Sequence, residues 1–166
     1  MSHALTAFAT ADLADAFASD LRRIQLDFRD FGSVSQFAGR ARTAVAVGDT
    51  RLLADQLYSA PGEGAIAVVD GGGWMETALL GDMNAERLRA NGWAGIIING
   101  VVRDVARLAD IGIGIKALGA TPLRSGKTGD GALDLPVAFG SVLIEPGDCL
   151  YCDKDGVLVS KRPLLL

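Results

Sequence analysis

Apolar residues recur along this chain in two rhythms, and the change between them marks the elements. Residues 43–47, 65–70, 93–102 and 113–118 are short, nearly unbroken apolar runs rich in Val and Ile. The run at 93–102 predicts a strand buried on both faces, as in a parallel sheet, that at 65–70 a second buried strand, and the other two further strands. Between them the apolar positions return every three or four residues, which predicts helices. The helical segments are 10–20 (Leu13, Ala14, Phe17 and Leu21 as the stripe, Thr10 or Asp12 as the cap), 50–59 (Leu52, Leu53 and Leu57 inward), 82–90 and 105–110. A Gly-rich loop at 121–132 ends the alternation. Strands are then predicted at 137–139, 142–144, 149–152 and 157–159, with a hairpin turn at Asp155-Gly156. Strand and helix alternating into an all-strand tail describe one mixed α/β domain over residues 1–166.

The central helix and strand bring chemistry together. Asp82 is separated by twenty residues from the adjacent pair Arg103-Asp104. Gly81, Asp82, Met83 and Asn84 stand where a helix begins, with Asp82 as the expected N-cap and Asn91-Gly92 as the exit. That cap leaves N–H groups near Met83 and Asn84 free to meet a carboxylate. Arg103 and Asp104 stand at the carboxyl end of the apolar run at 93–102. In open α/β sheets ligands bind beyond the carboxyl ends of strands, so helix start and strand end face one crevice. A carboxylate, a guanidinium and a second carboxylate there suit a divalent metal and an anionic substrate. The plainer reading is that Asp82 only caps its helix while Arg103-Asp104 caps the next one, and the residues alone leave both open.

Composition narrows the chemistry. The net charge of −4 and a pI near 4.9, with scattered Lys and Arg, argue against direct nucleic-acid binding, which needs a clustered basic face. No stretch approaches the roughly 18 to 20 apolar residues that span a bilayer, and the start lacks a basic segment before Asp12, Asp15 and Asp20. A cytoplasmic location is expected. His3 is the only histidine, which leaves Ser-His-Asp, Cys-His and imidazole–zinc chemistry without material. Any metal is then a hard, oxygen-ligated ion such as Mg²⁺ or Mn²⁺.

Four short motifs carry less than they suggest. Gly126-Lys127-Thr128 ends like a phosphate-binding loop, but Thr121 stands where that motif needs its first glycine. Cys149 and Cys152 lie three apart in a predicted strand, so their side chains point to opposite faces as small buried apolar groups. Gly71-Gly72-Gly73 opens no helix and reads as a loop close to a ligand or another chain. Asp153-Lys154-Asp155-Gly156 lacks the rest of a calcium loop.

Taken together, several stretches resemble the family of the regulator of ribonuclease E activity A, also described as class II 4-hydroxy-4-methyl-2-oxoglutarate aldolase-like. They are Gln36-Phe37-Ala38-Gly39, Gly81-Asp82, Arg103-Asp104, the run from Asp110 to Gly119, Pro146-Gly147-Asp148 and the run from Asp153 to Val157. The resemblance implies a β/β/α swivelling-domain (phosphohistidine-domain-like) fold, a homotrimeric ring and a site at the subunit boundary. It further implies that Asp104 ligates the metal, partly through water, that Arg103 binds the pyruvyl end of the substrate, and that Gly81, Asp82, Met83 and Asn84 supply the helix-start contacts. The expected reaction is metal-assisted carbon–carbon cleavage next to a 2-oxo acid, as oxaloacetate decarboxylase, 4-hydroxy-4-methyl-2-oxoglutarate aldolase or both. Arg103 and the ion would stabilise the pyruvate enolate as the bond breaks. One departure stands out: aldolase members often carry an acid two to four positions after the Arg-Asp pair, whereas Val105, Ala106, Arg107 and Leu108 follow here. The alternative function is a non-catalytic regulator that docks on ribonuclease E, a role that an acidic surface suits.

Overall fold

Residues 7–164 are described in a computed structural model. The strands are β1 (Leu21–Arg23), β2 (Arg29–Asp30), β3 (Phe37–Val45), β4 (Ile66–Asp70), β5 (Gly95–Val102), β6 (Gly114–Ala120), β7 (Ala132–Leu133), β8 (Val137–Phe139), β9 (Val142–Ile144), β10 (Cys149–Asp153) and β11 (Gly156–Ser160). The helices are α1 (Thr10–Ala16), α2 (Asp82–Ala90) and α3 (Val105–Leu108), with a π-helical segment over Leu53–Tyr58 and a 3₁₀ turn over Ala18–Asp20. One mixed sheet runs β1-β11-β10-β3-β4-β5-β6-β2, with β7 also paired to β3. The four strands β3 to β6 are parallel, as the continuous apolar run of β5 predicts.

Burial explains why those runs do not alternate. Every residue of β5 is buried. Ile96 and Ile98 face a core built with Leu53, Leu57, Ala85, Leu88 and Leu108 from the helical layer. Ile97, between them, faces a second core with Ile66, Val68, Phe139, Ile144 and Leu150 under the β8–β9 hairpin. The sheet is therefore covered by helices on one side and by strands on the other. Cys149 and Cys152 obey the same alternation: Cys149 packs with Leu13, Tyr151 and Leu158, and Cys152 lies in the core with Leu150 and Val157.

Several predicted boundaries move, each for a local reason. The first helix stops at Ala16, where Phe17 leaves helical geometry (φ −132°, ψ 35°). Its N-cap is Ala9, with no side-chain cap from Thr10 or Asp12. Thr10 instead gives its N–H and its hydroxyl to the Asp153 carboxylate, both at 2.7 Å, tying the helix to the β10–β11 turn. That turn is Lys154-Asp155, one residue earlier than predicted, because Gly156 pairs with Asp153. The strand expected at 43–47 begins at Phe37 and ends at Val45, and the helix expected at 105–110 ends at Leu108. Gly71 marks a close approach within the chain: a Cβ there would sit 2.7 Å from the Asn99 carbonyl oxygen on β5. His3 and the first residues lie outside the described residues.

Candidate functional site

The segment before α2 is stitched to the end of β5, and this delivers the two motifs to one place. Leu79 donates its N–H to the Val101 carbonyl at 3.0 Å, and Arg103 donates its own to the Leu80 carbonyl at 2.9 Å. Gly81-Asp82 and Arg103-Asp104 thereby become neighbours. Asp104 Oδ2 accepts the Asp82 N–H at 3.1 Å, and Arg103 Nε lies 3.8 Å from the same oxygen. A Cβ on Gly81 would come within 2.7 Å of Asp104 Oδ2, so a larger residue there would displace the Asp104 carboxylate.

The capping roles differ from those predicted. Gly81 is the N-cap of α2, and Asp82 is its first residue. Asp82 accepts the Met83 N–H at 2.8 Å with its own side chain, so that donor is not free as expected. Asp104 precedes α3 but makes no side-chain cap to it. Its carboxylate instead serves the start of α2, the earlier helix, where the dipole favours a negative charge. Asp104 does so in a left-handed backbone conformation, φ 61° and ψ 39°. Such geometry in a non-glycine residue costs on the order of 1–3 kcal/mol and collects at functional sites.

These residues wall a crevice of about 530 Å³ that also takes in Thr50, Arg51, Arg87, Arg124, Ser125 and Lys127. Five of its lining residues are cationic (Arg51, Arg87, Arg103, Arg124, Lys127) and three acidic (Asp55, Asp82, Asp104). In a chain of net charge −4 that local excess of positive charge suits an anionic ligand. Arg107 hydrogen-bonds Asp82 Oδ2 at 2.6 Å, and this contact holds the Asp82 carboxyl below the usual carboxylate range. Arg107 thus pairs with an acid of the site. Among the described residues there is no group of three or more His, Cys, Asp and Glu side chains that could cage a metal.

Sequence reasoning missed the far wall. Arg124, Ser125 and Lys127 belong to the loop whose Gly-Lys-Thr resembled a phosphate-binding motif, and no helix follows it. The loop is fastened by Asp49, which is 4% exposed. Asp49 Oδ2 accepts the Thr128 N–H and hydroxyl at 2.5 and 2.8 Å. Its Oδ1 accepts the Arg51 and Gly129 N–H groups at 3.0 and 3.1 Å. Burial by itself would raise the Asp49 pKa, but the hydrogen bonds, those from Thr128 foremost, outweigh it and bring the value down to about 2. A carboxylate depressed on folding stabilises the folded chain above its ordinary value of 3.8 and loses that contribution as pH falls towards 2. Asp49→Asn is therefore expected to lower the melting temperature at pH 7, with the gap to wild type narrowing as pH falls from 3.8 towards 2. Thermal melts across pH test this, and a gap independent of pH contradicts it.

Comparison with known proteins gives the relationship. The RraA-like family, described as Aldolase/RraA, matches residues 10–159. The chain is similar to a Geobacillus kaustophilus protein solved as an S-adenosylmethionine:2-dimethylmenaquinone methyltransferase, with 39% identity, 95% of this chain and 97% of that one covered, and a TM-score of 0.91. It is equally similar to the RNA-processing inhibitor RraA from Thermus thermophilus, at 38% identity, 96% of each chain and a TM-score of 0.91. A Streptomyces coelicolor member of the RNase ES inhibitor RraA protein family is 28% identical over 90% of this chain and 77% of that one, with a TM-score of 0.68. The names differ in what they say of activity, while the fold agrees. With the family match running from the first helix to the last strand, this chain belongs to the RraA-like (Aldolase/RraA) family.

Proposed function

We propose that the chain is a metal-dependent lyase that forms pyruvate from a 2-oxo acid, as oxaloacetate decarboxylase, 4-hydroxy-4-methyl-2-oxoglutarate aldolase or both. The observation that carries this reading is the meeting of Arg103, Asp104 and the start of α2 in one cation-rich crevice, with Asp104 held in a strained backbone conformation. A divalent ion fits the donors present. Mg²⁺ keeps several waters and is commonly bound through only one or two carboxylates. Asp104 meets protein donors, the Asp82 N–H and Arg103 Nε, through Oδ2. Asp104 would hold Mg²⁺ or Mn²⁺, which supplies Lewis-acid polarisation of the 2-oxo group.

The chain's own residues then bind and orient. Arg103 receives the carboxylate of the pyruvyl end with its planar fork of donors, and the N-terminus of α2 adds a positive dipole. In oxaloacetate the C3–C4 bond breaks, its electron pair moves towards the 2-oxo oxygen, CO₂ leaves, and the enolate takes a proton at C3 to give pyruvate. In 4-hydroxy-4-methyl-2-oxoglutarate a water molecule takes the C4 hydroxyl proton as the C3–C4 bond breaks, the electron pair moves towards the 2-oxo oxygen, one pyruvate leaves, and the enolate takes a proton at C3 to give the second. Arg103 is placed to stabilise charge that develops only as the bond breaks, the kind of contact that accelerates a reaction. Decarboxylation makes the smaller demand because no base has to remove a hydroxyl proton.

The same reading has a cytoplasmic homotrimer of swivelling-domain fold with the crevice at the subunit boundary. Exposed Trp74, Met75 and Leu123 beside the crevice wall offer apolar surface for such a contact. A sedimentation mass of one chain would count against it. Purified protein with Mg²⁺ or Mn²⁺ is expected to release pyruvate from oxaloacetate in a saturable way, above the rate of the free metal, and a chelator is expected to abolish the excess. The second reading, a regulator of ribonuclease E, is favoured by the likeness to the Thermus RNA-processing inhibitor. Release no faster than background, together with metal-independent inhibition of ribonuclease E, would replace the first reading by the second.

A further inference from the structure

Lys127 sits between two pinned residues. On one side Gly126 donates its N–H to the Gly48 carbonyl at 2.9 Å and accepts the Thr50 N–H at 3.0 Å. On the other, Thr128 and Gly129 are bound by the Asp49 carboxylate, which is buried and spends both oxygens on donors from the Arg51 turn and the Lys127 loop. Among the described residues Asp49 makes no ion pair, and it lines no part of the crevice itself. Three of its four bonds, those from Thr128 and Gly129, join segments nearly eighty positions apart, and their combined effect is to fix where Lys127 emerges.

The charges of the crevice leave Lys127 a role. Arg51 is paired with Asp55 at 3.3 Å, and Arg87 donates to the Ala54 carbonyl at 3.4 Å. Arg103 is committed to the pyruvyl end, beside Asp82 and Asp104, whose charges repel a second carboxylate. Among the described residues, Arg87, Arg124 and Lys127 are crevice cations with no ion pair, and Arg87 is turned to the Ala54 carbonyl. Arg124 is fixed beside Ala78, which donates its N–H to the Leu123 carbonyl and accepts the Ser125 hydroxyl, both at 2.8 Å, whereas Lys127 is the one held through Asp49. About 530 Å³ is room enough for a small acid with two carboxylates.

We propose that Asp49 is a positioning residue that holds Lys127 over the crevice, where its ammonium receives the second carboxylate of a dicarboxylic 2-oxo acid. This rests on the lyase reading for the first carboxylate and adds the element that selects the second. It also separates the two candidate reactions. The second carboxylate of 4-hydroxy-4-methyl-2-oxoglutarate is kept in the product, so holding it favours cleavage. The second carboxylate of oxaloacetate departs as CO₂, so pairing it stabilises the ground state more than the transition state.

The test is calorimetric binding of 2-oxoglutarate and of 2-oxopentanoate, which has the same chain length without the second carboxylate, to Mg²⁺-supplemented wild type, Lys127→Met, Asp49→Asn and the double variant. Wild type is expected to prefer 2-oxoglutarate by about ten- to a hundredfold, the range of one charge-assisted hydrogen bond. Each single variant is expected to shrink that ratio towards one, and the double variant to fall no further than Lys127→Met alone, since Asp49 acts through Lys127. A merely structural Asp49 would weaken both acids together and leave the ratio intact, which overturns the proposal. So does a ratio near one in wild type. If oxaloacetate is turned over while the ratio is one, this inference falls and the lyase reading stands. If the ratio behaves as stated without turnover, the lyase reading falls and the second-carboxylate site stands.

Discussion

Arg103→Ala is expected to cut pyruvate release from oxaloacetate by about 10²–10³-fold, the usual cost of removing one pre-organised donor to a developing oxyanion. The guanidinium is partly exposed, and its ionic contact is the 3.8 Å approach to Asp104. Truncation should therefore leave the melting temperature nearly unchanged, because exposed and loosely paired charges contribute little to stability. Arg103→Lys keeps the charge but loses the planar fork, so a partial loss lies between the two. The loss should appear in kcat as well as in kcat/KM, since the contact strengthens as charge develops. A folded Arg103→Ala protein with the wild-type rate would remove Arg103 from the reaction, however well placed it is.

What makes this test possible was legible before any coordinates, and the reason is local. The run ending at Val102 is continuous because β5 is covered on both faces, and a strand so covered must present its carboxyl end to a crevice. Asp82 and Arg103-Asp104 follow from that rule. The cap assignment failed for an equally physical reason: Asp104 reaches back to α2 across 22 positions, and spacing within one helix carries no trace of a partner that distant. The Asp49 latch was hidden in the same way, since its contacts to Thr128 and Gly129 span 79 and 80 positions. The Gly-rich loop carried a weak signal in Arg124 and Lys127, two cations on a segment with no helix to solubilise. The short strands β1 and β2 left none, for three and two residues are too few to show a period. The π-helical segment was read as an ordinary helix because Leu53 and Leu57 face inward in either form.

Gly114→Ala is the second large effect, and it acts on the frame that carries the site. Gly95 and Gly114 are register partners on β5 and β6. The Phe37 side chain lies across both: a Cβ on Gly114 would stand 2.2 Å from the ring, and one on Gly95 would stand 2.4 Å from it. Phe37 is 5% exposed, so the ring has little room to retreat. Two residues further along β3, a Cβ on Gly39 would meet the Gly64 carbonyl oxygen at 2.4 Å. Glycine is needed at these places for close approach and not for backbone freedom. Overpacking a filled core costs about 1–3 kcal/mol, and for a chain of this size each kcal/mol moves the melting temperature by about 2–4 °C. Gly114→Ala is thus expected to melt roughly 3–10 °C below wild type by calorimetry. Phe37→Leu should lose packing on its own, yet combined with Gly114→Ala it should cost less than the sum, because the smaller side chain vacates the space the methyl group needs. Strict additivity of the two would mean that the ring and the glycine do not meet. Since β5 leads directly into Arg103-Asp104, the same pair of substitutions reads how firmly the sheet holds the crevice: activity should fall with Gly114→Ala and recover in part with the double variant.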